Sequence, residues 1–114
     1  MNKLNLEIYS NNELIEKFID ISYEQKQEFI YFNITETKYF FYKELLTFSY
    51  LTKEEKVKMN FRDNIVTISL LQNNYSFEIK INDFKYEFSE NTYKITYVLN
   101  SEPDITKTFI ITLS

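Results

Sequence analysis

From residue 54 to the C-terminus, apolar and polar residues alternate with a period of two. Val57, Met59 and Phe61 alternate with Lys56, Lys58 and Asn60, and Val66, Ile68 and Leu70 alternate with Thr67 and Ser69. Phe77, Ile79 and Ile81, then Phe84, Tyr86 and Phe88, continue the pattern, as do Tyr93, Ile95, Tyr97 and Leu99 and finally Phe109, Ile111 and Leu113. Successive residues of a strand point to opposite faces, so a period of two is the signature of a half-buried strand. The pattern predicts an antiparallel meander of about six strands, with one apolar and one polar face.

The joints between the runs are polar. The chain contains no Gly, so its turns need other residues that tolerate positive φ, and Asn and Asp are the usual ones. Asn73-Asn74 and Asn82-Asp83 read as two-residue hairpin loops, with Arg62-Asp63 and Glu90-Asn91 as weaker candidates. The single Pro, Pro103, marks a longer loop over 101–105. These loops set a register. One predicted row is Val57, Ile68, Ile79, Tyr86, Ile95, Ile111; the next is Met59, Val66, Ile81, Phe84, Tyr97, Phe109. A third is Glu55, Leu70, Phe77, Phe88, Tyr93, Leu113. Lys58, Thr67, Lys80 and Lys85 fall on the opposite face, where Glu78 would lie near Lys85 and Lys80 near Glu87. Ile65, Leu71, Val98 and Ile110 are apolar residues on that polar face.

The N-terminal half is less regular. Leu4, Leu6 and Ile8 alternate, and 10–13 reads as a turn. Segment 14–23 fits either a strand or a helix, with strand favoured because it would pair with the preceding run. Residues 28–35 are strand-like. Tyr39, Phe40, Phe41 and Tyr42 are too apolar together for a strand with one wet face, and 43–52 is open between helical turn and strand. The fold class expected is all-β: one domain, 1–114, a meander of about eight strands closed into a small calycin-like barrel, which removes exposed edges. The alternative is a curved antiparallel sheet capped by a short helix.

Composition narrows function. With 114 residues, 44% of them hydrophobic, the chain has material for one core. Without His or Cys it lacks the commonest general base, the thiolate nucleophile and most zinc sites. Without Gly it lacks both phosphate-cradling loop motifs. The reading is therefore of a protein that is not an enzyme and needs no cofactor or metal. Its net charge is −4, with the charges interspersed and Arg62 the only Arg, which argues against nucleic acid and anionic membrane as partners. The first residues have no apolar signal core, so the expected location is the cytoplasm. Glu44, beside the aromatic run, is the one acid worth inspecting. Tyr86, Tyr93 and Tyr97 carry hydroxyls on the apolar face. They are core fillers, or they line an interior that binds a small ligand.

The stretches 75–81, 93–100 and 109–113 are similar to the end of the uncharacterised bacterial YwiB-like family of small calycin-type barrels, and 39–44 loosely resembles that family's middle. The glycines and the Arg-Gly pair expected of the family are missing. The resemblance implies a lipocalin-like barrel and carries over no functional residue. Two functions fit: a barrel acting through protein contact or as a homo-oligomer, or a carrier of a small apolar or aromatic ligand.

Overall fold

The computed structural model describes residues 2–114. Its ten strands are β1 (Lys3–Ser10), β2 (Glu13–Gln25), β3 (Ile30–Ile34), β4 (Thr37–Tyr42), β5 (Thr47–Leu51), β6 (Glu55–Asn60), β7 (Ile65–Leu70), β8 (Tyr75–Ser89), β9 (Thr92–Leu99) and β10 (Thr106–Leu113). Every strand pairs antiparallel with its sequence neighbours, and β1 pairs with β10, so the hydrogen-bonded order closes on itself as a β-barrel. The count is ten strands rather than about eight. The described residues contain no helix, so the helix-capped alternative falls away and 14–23 is strand. Segment 43–52 divides between a turn and β5.

Asparagine takes much of the role that glycine usually fills. The two-residue loops Asn11-Asn12 (φ 50° and 67°) and Glu90-Asn91 (φ 47° and 65°) place both residues in the left-handed region. Turns with that geometry match the right-handed twist of the flanking strands. Asn64 and Asn74 end longer turns with φ of 60° and 52°.

The chain divides into two compact units, residues up to 22 with 81–114, and residues 23–80. In the first, the strand order is β2, β1, β10, β9, β8. Its core is Leu4, Leu6, Ile81, Tyr93, Ile95, Leu99, Phe109 and Ile111. In the second, the end of β2 leads through β3 to β7 into the start of β8. Its core is Ile30, Phe32, Ile34, Phe41, Phe48, Val57, Met59, Phe61 and Val66. Each such side chain contributes about 1.5–3 kcal/mol of burial before entropy is subtracted.

Part of the predicted register holds: Val57 faces Ile68, Met59 faces Val66, and Phe84, Tyr86 and Phe88 face Tyr97, Ile95 and Tyr93. The hairpin at Asn82-Asp83 does not. β8 runs unbroken through it, with a bulge between Ile81 and Asp83, so five strands follow residue 54 rather than six. Before the bulge β8 pairs with β7; after it, with β9. Ile79 and Tyr86 therefore lie along one strand instead of opposing each other, and so do Lys80 and Glu87. Lys85 pairs with Glu87 at 3.0 Å, not with Glu78. Two more hairpins slip by two residues, since a loop of a different length moves the pairing without changing the faces. The loop at 71–74 has four residues, so Ile68 faces Phe77 and Val66 faces Ile79. On β10, Phe109 faces Ile95, and Ile111 faces Tyr93. Phe77 and Phe88, predicted to be inward, are 37% and 55% exposed, because each half of β8 is paired on one side only.

Candidate functional site

The strands β4 to β6 hold a groove on the face turned away from the core. The core-facing residues are Phe41 on β4, Phe48 on β5, and Val57 and Met59 on β6. Alternation sends Phe40 and Tyr42, Thr47 and Ser49, and Lys56 and Lys58 the other way. Register then sets them side by side. Phe40 pairs with Ser49, which pairs with Lys58; Tyr42 pairs with Thr47. Short side chains on β5 thus lie between an aromatic wall on β4 and a lysine wall on β6. Neighbouring strands are about 4.8 Å apart, so the walls stand about 10 Å apart. The hollow measures about 410 Å³, with Leu45 at one end.

Ring packing holds the aromatic wall in place. Phe29 lies 5.8 Å from Phe40 and 4.9 Å from Tyr42, and Tyr31 lies 5.2 Å from Phe40. Such tilted pairs contribute about 0.5–1.5 kcal/mol beyond their burial. Leu46, at φ 49°, shapes the turn before β5. Its carbonyl accepts the Phe61 amide at 3.0 Å, and the Glu44 carbonyl accepts a hydrogen bond from Arg62 at 3.0 Å. The Glu44 side chain is exposed.

The floor is unevenly satisfied. Thr47 is 6% exposed, and its hydroxyl donates to the Leu45 carbonyl at 3.3 Å. Ser49 is 7% exposed, and among the described residues its hydroxyl has no hydrogen-bond partner in the protein. A smaller hollow of about 280 Å³ lies beside Thr96 and Thr108, whose hydroxyls bond each other at 3.3 Å. Among the described residues no carboxylate lies within 4.0 Å of the Lys56 or Lys58 ammonium.

Tyr86, Tyr93 and Tyr97 share the core-facing side of β8 and β9, with Tyr86 opposite Ile95. Tyr93 is buried and stacks on Phe88 at 4.6 Å, whereas Tyr97 is half-buried with its ring edge-on to Phe109 at 6.4 Å. Fully buried Ile95 lies between the two tyrosines on β9. These rings pack against neighbouring rings of the same sheet. The groove residues were only partly flagged by sequence: the doubly apolar 39–42 run and the outward Lys56 and Lys58 were visible, but Thr47 and Ser49 carry no periodic signal.

No family model, no curated protein and no solved structure matches the chain. The closed antiparallel barrel defines its class by fold alone. Among the described residues no helix is long and apolar enough to cross a membrane.

Proposed function

We propose that this protein is a non-enzymatic β-barrel of the cytoplasm that acts by contact, first of all with a second copy of itself through β2. The observation that carries this reading is the exposure of Leu14, Ile15 and Ile19, at 46%, 58% and 59%, on one short stretch of strand. Within its unit β2 pairs with β1 on one side only over Glu13–Ser22. An exposed edge strand with large apolar side chains is a template for association.

The sequence of that edge is self-complementary in the antiparallel sense. If Glu16 of one copy faces Lys17 of the other, Leu14 faces Ile19 and Ile15 faces Phe18, an arrangement a two-fold axis requires of both copies. Two register shifts, opposite Leu4/Leu6 and Ile8/Tyr9, interrupt β2 and limit a continuous backbone ladder. Side chains therefore supply most of the contact. Kinship with the YwiB-like barrels is part of the same proposal and rests on the resemblance of the sequence stretches alone. The carrier reading, with a ligand against Tyr86, Tyr93 and Tyr97, is less favoured, because the packing of Tyr93 on Phe88 and Tyr97 on Phe109 supports a filled face.

Light scattering coupled to size exclusion over a hundredfold concentration range tests the proposal. The wild-type mass rises to that of a dimer, and Ile15→Lys with Ile19→Lys keeps it at the monomer. A wild type that stays monomeric throughout overturns self-association.

A further inference from the structure

We propose that the groove on β4, β5 and β6 is a binding site for a small planar aromatic anion, a ring system bearing a carboxylate, sulfonate or phosphate. The ring would lie against Phe40 and Tyr42, the anionic group would meet Lys56 and Lys58, and Ser49 would donate a hydrogen bond from the floor.

Three independent observations converge. First, an aromatic wall faces the groove although the core lies on the other side of the sheet, and Phe29 and Tyr31 pack behind it. Ring faces of this kind take up flat ligands with little regard to their substituents. Second, two ammonium groups stand on the opposite wall of a protein whose net charge is −4, and no carboxylate neutralises either. Their charge is available to an incoming anion. Third, the Ser49 hydroxyl belongs to a nine-tenths-buried residue lining the groove, and among the described residues it has no hydrogen-bond partner in the protein. Its oxygen is open to the groove, since no fully buried side-chain oxygen or nitrogen among the described residues lacks a partner, so the hydroxyl can donate to a ligand acceptor in place of water.

The dimensions set the size class. A hollow of about 410 Å³ lies at the lower end of the range for small-molecule sites, which suits two or three fused rings or one ring with its charged substituent. The chemistry also selects against long polyanions. Two lysines make a point of positive charge rather than a track, and the remainder of the protein is acidic, so successive phosphates of a nucleic acid would meet repulsion.

The test uses two fluorescent naphthalene probes of similar shape, anilinonaphthalene sulfonate, which is anionic, and phenylnaphthylamine, which is neutral. Wild-type protein binds the anionic probe at one site and the neutral one more weakly. Lys56→Gln with Lys58→Gln weakens the anionic probe roughly fivefold or more and leaves the neutral probe unchanged, as loss of two partly exposed charge contacts requires. Phe40→Ala weakens both probes, and Ser49→Ala weakens the anionic one several-fold. The lysine and serine variants change no core residue, and circular dichroism confirms the fold of each. Equal affinity for the two probes, insensitivity to the lysine pair, or insensitivity to Phe40→Ala overturns the proposal. So does a labelled single-stranded oligonucleotide that binds more tightly than the anionic probe, because the groove would then be part of a nucleic-acid surface.

Discussion

Phe29 and Tyr42 pack as a tilted ring pair, centroids 4.9 Å apart at 38°, on the face of the sheet opposite the core. Phe29 lies just before β3, and Tyr42 closes β4, so the pair clasps the ends of two neighbouring strands. A double-mutant cycle with Phe29→Leu and Tyr42→Leu yields a coupling of about 0.5–1.5 kcal/mol in denaturant unfolding. Additive losses mean the rings do not act as a pair.

Ile110 and Ile111 are neighbours in sequence on opposite faces of β10. Ile111 is fully buried, and Ile110 is half-exposed. Replacement of Ile111 by Ala costs about 2–5 kcal/mol, since the lost methyl groups leave a cavity that the barrel cannot close. The same replacement at Ile110 costs less than about 1 kcal/mol, in keeping with partial burial. Urea midpoints of the two variants measure the difference; equal losses contradict the two-faced assignment of this strand.

These facing assignments were legible in the sequence because they depend only on parity. A hairpin that slips by two residues keeps each side chain on its face, so Ile68 stayed on the core-facing side while its partner changed from Ile79 to Phe77. The misreading at Asn82-Asp83 has a different cause. A hairpin and a bulge both interrupt the pleat with polar, conformationally tolerant residues, and the local sequence does not say whether the chain reverses. That answer depends on β9, whose Val98 and Leu99 take up pairing with β8 on either side of the bulge. The groove was half legible. The excess of apolar residues in Thr37–Tyr42 indicated that both faces of β4 have apolar work to do, but the floor residues Thr47 and Ser49 look like ordinary surface positions until register places them between two taller rows.

Thr35 occupies the β3–β4 turn with φ 56°. A β-branched residue in the left-handed region is strained, and this side chain is exposed, so no packing holds it there. Thr35→Gly relieves the clash at Cβ and loses some of that gain to the greater freedom of the unfolded chain. The net stabilisation is about 0.5–1 kcal/mol, read as a higher urea midpoint at unchanged slope. A lower midpoint means that Thr35 makes a compensating contact.

Tyr50 supplies a prediction at alkaline pH. Its phenol is pushed above the ordinary tyrosine value, first by burial and then by the charges of Glu55 and Tyr39. The neutral form is thus favoured in the folded protein, whereas the unfolded chain ionises near pH 10. The contribution to stability is complete below that pH and is lost as pH rises through the folded value. Tyrosinate absorbance in the folded protein shows a late component to which Tyr50 contributes alongside Tyr9, whose phenol is also raised, followed by unfolding. Tyr50→Phe removes one late-titrating phenol and moves the onset of alkaline unfolding upward. Glu55→Gln leaves the phenol in place and brings its ionisation to lower pH, which separates the charge from the burial. An unchanged titration in both variants refutes the contribution of this residue to the late component.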